Sequence, residues 1–205
     1  MAVLIPVKSF RAAKGRLSPV IAQDARSTLA RSLAEIVVAA AAPLPVAVVC
    51  ADAEVAAWAA DLGALVIADP GGGLNAAVTE GVRVLRSIGV ETAVIAHGDL
   101  PEATSLGWVA EFRGITLIPD RHGDGTNVIA IPTGSGFVFA YGPGSFGRHV
   151  AEAHRCKLPT RVVHDAALGV DVDTPSDLLD AGGTLRSMLL HLDVEPSSPD
   201  AHGSS

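Results

Sequence analysis

Cysteine is scarce in this chain. Cys50 and Cys156 are the only two, far apart and in no C-x-x-C pair. Neither a disulfide framework nor a thiolate zinc site is indicated, and a reduced, cytoplasmic setting is expected. Aromatics are scarce too, at 4% of 205 residues, which argues against an aromatic-rich all-β core. No apolar run reaches the roughly 18 residues of a membrane span. The nearest, "IVVAAAAPLPVAVVC", is broken by Pro43 and Pro45 and reads as a helix end, a turn and a strand. Residues 3–7 are too short, and too soon followed by charge, for a secretory signal. Positive charge is the scarcer sign, 15 Lys and Arg against 22 Asp and Glu, and the net charge of −7 would repel a phosphate backbone. Neither a nucleic acid nor a membrane is expected as a partner.

What the chain does have is 49% apolar residues, mostly Ala, Val, Leu and Ile, with 21 Gly. That composition suits helices packed closely on a sheet. At this length one domain buries about 70% of the surface that its unfolded chain exposes. Short β-branched runs recur at 2–7, 45–51, 64–69, 92–97 and 115–120. Helices are expected at 24–42, 53–61, 75–87 and 104–112, with Asp24, Asn75 and Thr104 as caps and Gly63, Gly89 and Gly114 as stops. Nearly continuous apolar strands alternating with helices predict an α/β fold, a single-domain three-layer α/β/α arrangement on a mostly parallel sheet buried on both faces. Beyond 127 the runs "VIAIP" and "FVFAY" read as strands, 145–155 as a helix, "TRVV" (160–163) as a strand, and a last short helix follows Thr174-Pro175. The domain is expected to span 1–183, with 184–205 an extension whose last 14 or so residues are polar and expected to be disordered.

Ligands of such a sheet bind outside the carboxyl edge of its strands, and the unusual residues of this chain gather there. After the first strand, Lys8, Arg11, Lys14 and Arg16 fall within nine residues of an acidic chain, a patch on the scale of a small anion. "HGDLPEAT" places Asp99 two residues beyond a strand; a turn aspartate capping its own loop is the plain alternative. In "GVDVDTPSDL", Asp171 and Asp173 alternate along an extended segment and face opposite ways, so that one can face a site while the other braces the turn. Two carboxylates from separate strand ends, with no histidine pair at ligand spacing, suit Mg²⁺ better than zinc. The seven histidines read as surface or hydrogen-bonding residues.

"GPGSFGRH" (142–149) contains G-x-G-x-x-G through Gly142, Gly144 and Gly147, but late in the chain and with Pro143 removing one amide. A nicotinamide site is a weak reading, and Arg148-His149 miss the P-loop pattern. Glycine amides, Ser145 and a helix N-terminus still offer an anion cradle, unless the stretch is only a Gly-rich turn. "PDRHGDGTN" (119–127) brings Thr126 to the same edge, or is a tight turn with local Asx hydrogen bonds. "DPGGGLNAAV" (69–78) allows close approach of a ring or phosphate, or is a left-handed connection.

Taken in order, "IPVKSFRAAKGRL", "LNAAV", "GDLP", "PDRHGDGTN", "GPGSFGRH" and "DVDTPSDL" resemble the phospholactate and phosphoenolpyruvate guanylyltransferases, the CofC/FbiD family, over residues 3–181. The resemblance implies a nucleotide-diphospho-sugar transferase (GT-A-like) fold. It also implies a magnesium-dependent transfer of GMP from GTP to the phosphate of a three-carbon acid, in biosynthesis of the deazaflavin coenzyme, factor 420. By that match Asp99 and Asp171 would hold Mg²⁺, and Lys8, Lys14 and Arg16 would bind the triphosphate and take part in catalysis. Asn75 would lie near the nucleotide, and Thr126, Gly142 and Ser145 would bind the acid. Phosphoenolpyruvate is the expected acceptor, with 2-phospholactate and 3-phosphoglycerate as alternatives. The enzyme that next uses the guanylylated product is the expected partner. A molybdopterin-type nucleotidyltransferase, a non-catalytic nucleotide-binding module and a dinucleotide-dependent oxidoreductase are the competing readings.

Overall fold

The computed structural model describes residues 1–179 and 182–192. Strands β1 (Ala2–Pro6), β2 (Val46–Cys50), β3 (Leu65–Ala68), β4 (Thr92–Ala96), β5 (Ile115–Pro119), β6 (Thr126–Pro132) and β7 (Thr160–Val162) form one sheet in the order β3-β2-β1-β4-β6-β5-β7. Pairing is parallel except along β6, which runs antiparallel to both neighbours. The mixed, mostly parallel sheet matches the expectation. The reversal of β6 also brings its first residue, Thr126, to the carboxyl edge of β4, since Ala96 pairs with Val128.

Helices α1 (Gln23–Ala40), α2 (Ala53–Asp61), α3 (Leu74–Ser87), α4 (Ser145–Arg155), α5 (Pro175–Leu179) and α6 (Gly183–His191) complete the described elements. Alternation along β1 shows why both faces need a cover. Ala2 and Leu4 join the core beneath α3 and the 137–139 segment, while Val3 and Ile5 join the core beneath α1 and residues 100–110. On α6, Leu185 and Leu189 pack with Leu17, Leu29 and Leu33. The expected domain boundary at 183 falls at the first residue of this helix. The tail expected to be disordered lies, from 193 on, outside the described residues.

Three local expectations are corrected. No helix spans 104–112; only a 3₁₀ turn forms, at Gly107–Ala110. Leu100, Ala103, Leu106 and Val109 are buried at a spacing of three, with Pro101 and Ala110 buried beside them; a spacing of three is the period of a 3₁₀ turn. Asp24 and Asn75 do not cap their helices: the cap positions are Ala22 and the left-handed Gly73. Nor is "FVFAY" a strand. Its side chains alternate as a strand's would, Phe137 and Phe139 buried and Val138 exposed, but its amides are taken by side chains. Val138 N donates to Glu152 Oε1 (2.7 Å), Ala140 N to His149 Nε2 (2.9 Å) and Tyr141 N to Asn75 Oδ1 (2.7 Å). Helices α3 and α4 thus hold an extended segment in place without a ladder.

Candidate active site

Beyond β1 the chain turns through two 3₁₀ turns, at Phe10–Ala12 and Gly15–Leu17, with Lys14 between them in the left-handed region (φ 56°). Phe10 and Leu17 are buried, so these apolar anchors fix the cation-bearing loop over the sheet edge. It forms one wall of an open cleft of about 440 Å³, lined by Lys8, Lys14, Arg16, His97, Asp99 and Asp173 among others.

The loop cations divide into two kinds. The Lys14 side chain is only 6% exposed, and its ammonium donates to Asp99 Oδ2 (2.5 Å), the Val172 carbonyl (2.5 Å) and Asp173 Oδ1 (3.3 Å). An ammonium has three hydrogens, and here all three are engaged by the protein. Burial opposes the charge of Lys14, but Asp99 and Asp173 outweigh it and raise the pKa. Lys14, expected at a triphosphate, is therefore committed to the carboxylates. Arg16 is 77% exposed, with Asp173 at 3.9 Å, and Lys8 is exposed on the cleft wall.

The carboxylates gather from separate strand ends, Asp171 beside Asp99 and Asp173, and neither Asp171 nor Asp173 is the brace of the turn. Asp173, expected to brace the turn if Asp171 faced the site, lines the cleft. The brace is Asp177, whose Oδ2 accepts from Asp173 N (2.8 Å), Thr174 N (2.6 Å) and the Thr174 hydroxyl (2.9 Å) while Oδ1 pairs with Arg121. Burial and then the charges of Asp99 and Asp173 push the Asp171 carboxyl up, the signature of acidic groups crowded without enough counter-charge. Asp99 keeps Oδ1 buried and without a partner. Among the described residues no three of His, Cys, Asp and Glu form a protein metal cage. One or two carboxylates with an open oxygen are the donor set that Mg²⁺ uses when it arrives with phosphates, so Asp99 and Asp171 fit that ion.

On the acceptor side, Thr126 and Ser145 are buried. His149, read from sequence as a surface or hydrogen-bonding residue, is fully buried. Its Nε2 accepts from Ala140 N, so the neutral ring carries its proton on Nδ1 and donates it to Thr126 Oγ1 at 3.0 Å. Burial, with the charges of Arg148 and His97 adding, lowers its pKa to about 4. The Thr126 hydroxyl keeps its own hydrogen to give elsewhere. Gly142 (φ 118°) and Gly144 (φ 70°) make the positive-φ turn ahead of α4.

The expected anion cradle is in part already filled. Asp124 Oδ2 accepts from Gly144 N (3.0 Å), and the Asp124 carbonyl accepts from Phe146 N (2.9 Å). Asp120 takes the amides of His122, Asp124 and Gly125, the local Asx turn that was the plain reading of that loop. Asn75, expected near the nucleotide, clasps the Tyr141 backbone with its amide, accepting from N and donating to O at 3.5 Å. Sequence reasoning missed Asp124, Asp177, Tyr141, His97 and His149. For His149 a signal was present, since Ser145, His149 and Ala153 are i, i+4, i+8 on one helix face, and all three are buried.

A family model described as "Guanylyl transferase CofC like" matches residues 1–191. The phosphoenolpyruvate guanylyltransferase of Sphaerobacter thermophilus is 38% identical over 193 residues, covering 88% of this chain and 91% of that one. The protein of the same name from Streptomyces coelicolor is 37% identical over 199 residues, covering 91% and 89%. Among solved structures, a protein from Desulfovibrio desulfuricans assigned to the nucleotide-diphospho-sugar transferases superposes with a TM-score of 0.73 at 18% identity, over 94% of this chain and 96% of that one. The 2-C-methyl-D-erythritol 4-phosphate cytidylyltransferase of Thermus thermophilus superposes with a TM-score of 0.54 at 17% identity, over 91% and 98%. The match over nearly the whole chain, together with a sheet edge built as described above, leads to one conclusion: this chain belongs to the CofC-like guanylyl transferase family.

Proposed function

We propose that this protein transfers GMP from GTP to the phosphate of phosphoenolpyruvate, with Mg²⁺, giving enolpyruvoyl-2-diphospho-5'-guanosine and pyrophosphate in deazaflavin coenzyme biosynthesis. The observation that carries this reading is the cleft in which Lys8 and Arg16 face Asp99 and Asp173 across one strand edge. It lies in a chain whose relatives bear the name of that activity.

In the proposed reaction an oxygen of the acceptor phosphate forms a bond to the α-phosphorus of GTP. The bond from that phosphorus to the α–β bridging oxygen breaks, and pyrophosphate leaves with the electron pair. The attacking oxygen is already anionic near neutral pH, so no general base is required. His149, neutral and spent on Thr126 and Ala140, is a strut. The chain's work is positioning and charge neutralisation. Lys8 and Arg16 meet the triphosphate. Lys14 screens Asp99 from Asp173 and keeps them at a fixed spacing. Thr126, Gly142 and Ser145 hold the acceptor. Mg²⁺ held by Asp99 and Asp171 would stabilise the negative charge that builds on the departing pyrophosphate.

Purified protein with GTP and Mg²⁺ is expected to release pyrophosphate with phosphoenolpyruvate, faster than with 2-phospholactate or 3-phosphoglycerate. Release with none of the three acids overturns the proposal. Release fastest with another of them reassigns the acceptor.

A further inference from the structure

Among the described residues, four buried side-chain polar atoms have no hydrogen-bond partner, and three of them belong to one neighbourhood: Asp99 Oδ1, His97 Nε2 and Tyr141 Oη. His97 and Asp99 share the loop after β4, and the rings of His97 and Tyr141 lie 5.4 Å apart. A buried polar atom left unpaired is destabilising, since it loses its water without gaining a partner. Three such atoms in one place mark where a polar ligand completes the structure. Asp99 Oδ1 is an acceptor and suits a cation. Tyr141 Oη and His97 Nε2 can both donate, so their ligand is an acceptor group, an anion or a carbonyl oxygen.

Position narrows the choice. His97 lines the cleft beside Lys8, Lys14 and Asp99. On its other side Tyr141 packs edge-on against His149 (4.8 Å between rings), and His149 holds Thr126. The two donors thus stand between the carboxylate cluster and Thr126. They are also rigidly held. Both Tyr141 backbone groups are clasped by Asn75, and its ring is stacked on Phe139 (6.1 Å, 7° between planes).

We propose that Tyr141 Oη and His97 Nε2 form the subsite for the carboxylate of the three-carbon acceptor, and that they select a phosphorylated acid over a phosphorylated alcohol. The inference rests on the guanylyl-transfer reading above. In the complex each donates one hydrogen bond to a carboxylate oxygen, His97 with its proton on Nε2. No covalent step involves either residue.

Tyr141→Phe is the test, because it removes only the unpaired oxygen. In ligand-free protein its Tm is expected to equal or exceed that of the wild type, since a buried unsatisfied hydroxyl is gone; a merely structural hydroxyl would lower it. The KM for phosphoenolpyruvate is expected to rise about tenfold or more, as loss of one charge-assisted hydrogen bond implies, with the KM for GTP within about twofold. The thermal shift produced by phosphoenolpyruvate alone is expected to shrink. A companion pair separates donor from shape: His97→Gln keeps a donor and is expected to retain more phosphoenolpyruvate affinity than His97→Leu. Wild-type turnover with an unaltered phosphoenolpyruvate KM in Tyr141→Phe overturns the subsite alone, as do equal increases in both KM values. No pyrophosphate from the wild type with any acid overturns the functional reading and this subsite with it.

Discussion

Asp99 meets conflicting demands. Burial disfavours its charge, yet Lys14 and then His97 hold its carboxyl below the usual range. One oxygen is paired and the other is open. Asp99→Asn removes the charge while preserving shape. It is expected to lower turnover by about 10²-fold or more and to raise the Mg²⁺ requirement. Steady-state kinetics across a Mg²⁺ titration check this, with a melting curve to verify folding; near-normal turnover in folded protein would overturn the proposed metal role of Asp99. His149 supplies a pH prediction. Its pKa is depressed from 6.5 to about 4 in the folded chain, so the unfolded chain binds the extra proton between those values. The stabilisation from the buried neutral ring is complete above about pH 6.5 and is lost as pH falls toward 4. Between about pH 7 and pH 5 it amounts to about 2 kcal/mol. The wild type is expected to lose that much more stability over this interval than His149→Gln, measured by denaturant unfolding at each pH; equal losses would contradict the burial argument.

At the scale of elements, the extended segment 137–141 shows what pattern reading can and cannot reach. Alternation of Phe137, Val138 and Phe139 was legible as a two-faced extended stretch, and it is one. Which groups would satisfy its amides was not legible, because Glu152 and His149 reach back from the next helix and Asn75 comes from a helix 66 residues away. The same holds for 100–110, where apolar residues at a spacing of three lie under α1 and dictate tight turns against the expected helix. Gly114 tests how closely the elements fit. A Cβ there would stand 2.1 Å from the Pro159 carbonyl oxygen, which itself accepts from Ile115 N where β5 meets β7. Backbone cannot yield as a side-chain tip can. Gly114→Ala is therefore expected to destabilise the fold by about 1–3 kcal/mol, read as a lowered Tm; an unchanged Tm would show that this edge of the sheet is slack.

At the scale of the whole molecule, an acidic chain sets two exposed cations, Lys8 and Arg16, on the wall of the cleft. No described helix is long and apolar enough to cross a membrane. The sequence by itself determined the layered α/β architecture, the strand runs and the gathering of Asp99, Asp171 and the loop cations at one edge, because burial on two faces and strand-end geometry act through local pattern. Only the tertiary structure decided that Lys14 is spent on Asp99 and Asp173, that Asp173 lines the cleft while Asp177 braces the turn, and that Asp124 already occupies part of the glycine turn. It alone also leaves His97 and Tyr141 adjacent and unpaired. The physical reason is that hydrogen bonds and ion pairs form between groups as far apart in the chain as Lys14 and Asp173 according to where folding brings them in space, and a pattern read along the chain contains apolar period but not those distances.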